Sequence, residues 1–125
     1  AAVPWALHKF GGASLATPEL YKLCADLLVQ ESRRGKDADG SCTPTMAIVS
    51  ARGGVTDRLV EVVEAALADI DESERLLKLV ASEQIEAVRE LAGDKIAEEV
   101  GAKINKDAAD LFGVVRAVSM LRAVP

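Results

Sequence analysis

The sequence predicts an α/β fold, helix-rich with few strands, in which these 125 residues form the N-terminal portion of a larger domain. Three observations predict it. Two short runs of strand formers each stop at a Gly-Gly pair and then lead into a segment of helical periodicity. The second run, Met46 to Val49, is apolar almost throughout, as suits a central strand of a parallel sheet covered on both faces. No third strand follows, and two strands alone make a marginal sheet, so the apolar run asks for neighbours from outside these residues. A complete, mostly helical domain with one strand pair is the alternative.

The first strand is read over Trp5 to Phe10, ending where Gly11-Gly12 give the backbone freedom to turn. Thr17-Pro18-Glu19 then supplies a hydroxyl N-cap, a proline at the first helical position and an acid facing the positive end of the dipole. The helix so begun carries Leu20, Leu23, Cys24, Leu27 and Leu28 at the spacing of one buried face, and ends near Arg33 or Arg34. Residues 34–45 mix Gly, Pro, Asp and Ser without a period and read as an exposed loop. After the strand Met46 to Val49 and the loop Ser50-Ala51-Arg52-Gly53-Gly54, a second helix has Leu59, Val62, Val63, Ala66, Leu67 and Ile70 inward. A third, Ser73 to Ala92, turns Leu77, Val80, Ala81 and Val88 inward, with Glu74, Glu83, Glu86 and Glu90 largely outward, and stops at Gly93. Two further helices are expected, Asp94 to Ile104 and Lys106 to about Val124, the last with a stripe of Leu111, Val114, Val118 and Leu121.

A mass of 13.2 kDa gives room for one domain. Half of the residues are apolar, yet 21 are Ala and only Trp5, Phe10, Tyr21 and Phe112 are aromatic, so the core must be aliphatic. With 28% charged residues the chain is not composed like a disordered one. A net charge of -5 repels polyphosphate backbones and disfavours nucleic acid as a partner. No apolar run reaches the roughly 18 residues that span a bilayer, so no membrane partner is expected. Cys24 and Cys42 form no CxxC pattern, which points to neither zinc nor a disulfide scaffold and suits a soluble protein of a reducing compartment.

Chemistry is concentrated in the two glycine loops, Lys9-Phe10-Gly11-Gly12-Ala13-Ser14 and Ser50-Ala51-Arg52-Gly53-Gly54-Val55-Thr56. A right-handed crossover brings both to the carboxyl edge of the sheet, where α/β proteins bind ligands. Glycines let backbone N–H groups approach an anion, a following helix N-terminus adds partial positive charge and Lys9 adds a full one. One such loop alone would read as a simple turn; two matched loops point to phosphate. Neither is a Walker A nor a GxGxxG loop. His8 inside the first strand reads as a packing residue and Cys24 as core. Cys42 has no assigned role. The Arg33-Arg34-Gly35-Lys36 cluster suits a helix C-terminus, and the acids of residues 61–99 suit wet helix faces.

Leu7-His8-Lys9-Phe10-Gly11-Gly12-Ala13-Ser14 resembles the KFGG(T/S)S signature that opens aspartate kinases. Ile48-Val49-Ser50-Ala51-Arg52-Gly53-Gly54-Val55-Thr56-Asp57 resembles their second loop, VVSAxGGVTD. The HKFGG start after Trp5 is most similar to the kinase domain of bifunctional aspartate kinase/homoserine dehydrogenases. Ala117 to Val124 is more weakly similar to the same family.

The resemblance implies the three-layer α/β/α amino-acid kinase sandwich, with residues 1–125 as the N-terminal part of a single kinase domain whose C-terminal half is absent. It implies phosphoryl transfer from ATP, with Mg2+, to the β-carboxylate of L-aspartate in amino-acid biosynthesis. Lys9 would be catalytic. Lys9, Phe10, Gly11, Gly12, Ser14, Ser50, Gly53 and Gly54 would hold the nucleotide, Ser50 and Thr56 would meet the aspartate, and no residue here would ligate the metal. Asp57 would stabilise its helix start. Ala13 departs from the hydroxyl residue usual there, a loss of about 0.5 to 1.5 kcal/mol if that hydroxyl makes a net hydrogen bond. The chain ends before the family's aspartate-holding (S/H)xGE loop and its adenine-binding segments, so it is expected to be inactive alone. The full-length protein would be a homo-oligomer, cytoplasmic or, after removal of a transit peptide, in a plastid. Rival readings are another amino-acid kinase and a noncatalytic anion-binding or interaction module.

Overall fold

The computed structural model describes residues 4–33 and 43–122. Arg34, Gly35, Lys36 and Cys42, with most of the loop expected over 34–45, lie outside the described residues, as does the end of the last expected helix. The described chain is mostly helical with one two-stranded parallel sheet, as an α/β chain with few strands should be. It forms two compact units, residues 1–54 and 55–125.

In the first unit β1 (Ala6–Phe10) pairs with β2 (Thr45–Val49), in register from Ala6 opposite Thr45 to Phe10 opposite Val49. Between them run a 3-10 turn (Gly12–Leu15) and α1 (Pro18–Arg33). Thr17 caps α1 as its sequence foretells, the hydroxyl accepting the Leu20 N–H at 3.2 Å. Alternation along the strands divides the sheet into two faces. On one, His8 and Phe10 are half-buried and their rings stack at 6.2 Å between centroids, the packing role read for His8. A shallow groove on that side is lined by His8 and by Leu27, Gln30, Glu31 and Arg33 of α1. On the other, Leu7 and Ile48 stand 61% and 51% exposed beside Met46. The stripe expected to be buried on α1 is not: Cys24 is buried and Leu28 half-buried, but Leu20, Leu23 and Leu27 are exposed. Two strands about 5 Å apart are narrower than the face a helix presents, so one row of its side chains is covered.

In the second unit α2 (Val55–Ala68), α3 (Ile70–Ala92) and α4 (Asp94–Arg122) pack on one another. Ser73 is fully buried and its hydroxyl donates to the Val62 carbonyl at 2.7 Å, fastening α3 to α2. An exposed ion pair, Arg58 with Glu83, spans the same helices, so Glu83 is half-buried and not turned fully outward. On α2, Val62 and Ala66 are buried while Val63 and Leu67, expected inward, are exposed, because α3 covers a narrower band than the apolar stripe.

The two helices expected after Gly93 are one. No glycine or proline interrupts residues 102–112, and an ion pair of Lys106 with Asp110 at 2.9 Å supports the turn that follows the expected break at Asn105. The stripe of α4 is also displaced. Ala97, Gly101 and Val115 are buried and Leu111 half-buried, whereas Val114, Val118 and Leu121 are exposed, Leu121 to 74%. Small residues decide this, since a Cβ on Gly101 would lie 3.4 Å from the Ile85 side chain of α3. Among the described residues every buried apolar one is aliphatic or Cys24.

Asp69 begins α3 earlier than Ser73, its carboxylate accepting the N–H groups of Asp71 at 3.0 Å and Glu72 at 3.4 Å. Asp69→Ala is expected to cost about 1 kcal/mol of stability, read as a lower urea midpoint of the helical signal with an unchanged slope. At the other end Gly93 has φ +88 and its N–H donates to the Arg89 carbonyl at 2.9 Å, the stop that the glycine signals. Among the described residues no helix is long and apolar enough to cross a membrane.

Candidate functional site

The ladder of β1 and β2 does not stop at the strand ends. The Ser50 N–H donates to the Phe10 carbonyl at 3.1 Å, carrying the pairing one residue into the second loop. Both glycine loops therefore leave the sheet side by side from the carboxyl ends of parallel strands.

They then touch. A Cβ on Gly12 would lie 3.3 Å from the Ala51 carbonyl oxygen, and one on Gly53 would lie 3.0 Å from the Gly12 carbonyl oxygen and 3.0 Å from the Ala16 Cβ. Both glycines are required by close approach, since neither has a positive φ. Gly54 differs, with φ +85, the left-handed conformation that ends the loop ahead of α2. Gly11 differs again: its φ of -79 is open to any residue, and no atom lies within 4 Å of an added Cβ. The unusual backbone freedom expected of Gly11 is not used, and the space beside it is open.

After Gly11 the 3-10 turn is closed by the Ser14 N–H donating to the Gly11 carbonyl at 3.1 Å. Buried Cys24 braces it from α1, its thiol donating to the Ser14 carbonyl at 3.3 Å. The side chains of Ser14 and Ser50 are exposed. Lys9 is also exposed, on the sheet face opposite Phe10, and among the described residues it has no carboxylate partner. Lys9 and Phe10 at the end of β1, Gly11, Gly12 and Ser14 after it, and Ser50, Gly53 and Gly54 after β2 thus belong to one unit, in which the two loops meet at Gly12 and Gly53. Thr56 stands in the first turn of α2, in the other unit. No three metal-ligating side chains gather among the described residues.

One residue of this junction was not singled out from sequence. Arg52 is half-buried and its Nη1 donates to the Ala16 carbonyl, at the end of the 3-10 turn, at 3.1 Å. Its Nε is buried with no acceptor, a cost of about 1 to 3 kcal/mol for an unmade hydrogen bond. The signal available beforehand was a long cation placed between Ala51 and Gly53, in a loop otherwise made of small residues.

Among curated proteins the chain is 25% identical over 114 residues to the chloroplastic bifunctional aspartokinase/homoserine dehydrogenase 2 of Zea mays, covering 91% of this chain and 12% of that protein. It is 34% identical over 86 residues to the aspartokinase of Chlamydia pneumoniae, covering 69% of this chain and 16% of that protein. It is 28% identical over 115 residues to the chloroplastic bifunctional aspartokinase/homoserine dehydrogenase 1 of Arabidopsis thaliana, covering 91% of this chain and 12% of that protein. The chain thus spans less than a fifth of the length of these relatives. No family model matches it.

Proposed function

We propose that this relative of the aspartokinases supplies the phosphate-holding corner of an ATP-dependent kinase that phosphorylates the β-carboxylate of L-aspartate in amino-acid biosynthesis. The observation that carries the reading is the meeting of the two motif loops at Gly12 and Gly53 beside the carboxyl ends of β1 and β2. Charge on a transferring phosphoryl group spreads over its oxygens, so the protein's work is to position it and to stabilise that charge.

The residues suit that task. Open space over Gly11 would admit an anion to the loop backbone, and Lys9, exposed near the carboxyl end of β1, has no carboxylate partner among the described residues. Lys9 is the residue assigned to the transferring phosphate, and Ser14 with the N–H groups of Gly11 and Gly12 to the nucleotide phosphates. Ser50 is assigned between phosphate and acceptor, and Thr56 to the aspartate, on the motif alone. Mg2+ commonly keeps its waters and binds through substrate phosphates with one or two carboxylates, so here it would arrive with the nucleotide. The chain's share of its relatives' length means that acceptor and adenine contacts are proposed to come from elsewhere in a longer protein. Two of the relatives above are named as chloroplastic; for this chain a plastid or cytoplasmic location is part of the proposal.

The test is a calorimetric titration of the chain with MgATP beside Lys9→Ala. Saturable binding weakened tenfold or more by the substitution, about 1.4 kcal/mol, is the expected result. A folded chain that binds no MgATP overturns the reading. In that event the exposed sheet face of Leu7, Met46 and Ile48 favours an interaction module instead, and sedimentation that depends on concentration and ignores MgATP would identify it.

A further inference from the structure

Beyond Ser50 the two loops no longer share a ladder, and among the described residues one side-chain hydrogen bond joins them: Arg52 Nη1 to the Ala16 carbonyl at 3.1 Å. We infer that Arg52 is a positioning residue, a strap that sets the spacing of the two glycine loops and so the fit of the phosphate site. The inference rests on the site proposed above.

An arginine in a glycine-rich loop beside an anion site would ordinarily be taken for a phosphate ligand, because its forked donors match phosphate oxygens. The geometry points the other way. One Nη1 donor is spent on a backbone carbonyl of the partner loop, and Nε is sealed from solvent without an acceptor. A residue recruited for a ligand would hold that edge towards open space, as Gly11 does. Arg52 instead buries its Nε and turns Nη1 to Ala16, at the junction where Gly53 presses on Gly12 and Ala16. The bond also orients the chain locally: it pulls the residue just before Gly53 towards Ala16, the same residue that Gly53 contacts at 3.0 Å from its would-be Cβ. Glycine at 53 permits the approach, and the arginine at 52 holds it.

The experiment compares the wild-type chain with Arg52→Met and Arg52→Lys by amide hydrogen exchange without ligand, and by MgATP titration at low and high salt. Met keeps the aliphatic bulk and removes the donors. Lys restores one donor and lacks the buried Nε. The expected result for Arg52→Met is exchange of the Gly12–Leu15 amides faster by about tenfold or more, with α3 and α4 unchanged. MgATP affinity should fall by a similar factor, with the same salt dependence as the wild type, and Lys should recover part of both losses. Unchanged loop exchange in folded Arg52→Met overturns the inference. An affinity loss that vanishes at high salt also overturns it, because it would mark Arg52 as a charge acting directly on the ligand. If Arg52→Met does not fold, Arg52→Lys decides alone: faster exchange at Gly12–Leu15 together with weaker MgATP binding supports the strap, and exchange identical to wild type, or faster exchange with no loss of MgATP affinity, overturns it. A wild-type chain that binds no MgATP defeats the kinase reading, while the exchange measurement still decides the role of the strap.

Discussion

Gly53→Ala is expected to weaken MgATP binding by about tenfold to a hundredfold, and Gly11→Ala to weaken it without lowering stability. At Gly53 the new Cβ meets the Gly12 carbonyl oxygen and the Ala16 Cβ, each at 3.0 Å, and two of the contacts there are backbone. Backbone cannot swing aside as a side chain can, so the loops must separate, at the 1 to 3 kcal/mol or so that overpacking typically costs. Part of that cost should appear as a lower unfolding midpoint and part as lost affinity. At Gly11 no atom stands within 4 Å and φ is already ordinary for alanine. There the substitution should raise stability by up to about 1 kcal/mol, through a less flexible unfolded chain. Its methyl would nonetheless stand where an anion must approach the backbone. Calorimetry and urea titration on the same two variants separate the effects. Equal MgATP affinity in Gly11→Ala and wild type would remove Gly11 from the proposed site.

The second large effect lies in the helical unit and changes sign with the size of the side chain. Gly101 faces Ile85 across the α3–α4 contact, and an added Cβ meets only side-chain carbons of Ile85, Cγ1, Cγ2 and Cδ1, each at 3.4 Å. Gly101→Ala should therefore stabilise by up to about 1 kcal/mol, the helix-propensity difference between the two residues. Gly101→Leu adds three more carbons to a buried position and should destabilise by about 1 to 3 kcal/mol. Thermal melts of the two variants with opposite shifts would support close packing there. Shifts of the same sign would mean that the helices can spread.

Local chemistry was legible in the sequence, and burial was legible only in part. Thr17-Pro18-Glu19 foretold the start of α1, Gly93 the end of α3, and the paired glycine loops their meeting, because each signal is carried by a few adjacent residues. Helical periodicity, by contrast, names an apolar face without saying how much of it a partner covers. Leu20, Leu23 and Leu27 kept the spacing of a core and are exposed, since a two-stranded sheet is too narrow for them. Val114, Val118 and Leu121 read as the stripe of α4, but Ala97 and Gly101 take the contact because α3 comes closer over small residues. Arg52 was passed over for a different reason. A lone cation in a loop has no period, and only the three-dimensional junction gives it an acceptor, 36 residues away in the chain.

The placement of the aromatic residues gives each unit its own spectroscopic voice. Trp5, 64% exposed beside β1, and Tyr21 of α1 both belong to residues 1–54, while residues 55–125 contain no chromophore stronger than Phe112. Intrinsic fluorescence consequently watches the unit that carries the glycine loops, and far-ultraviolet circular dichroism is dominated by the long helices of the other. Recording both on one denaturation series reports on the two halves separately without a label, and the coincidence or separation of the curves measures how far the loops depend on the helices for their order.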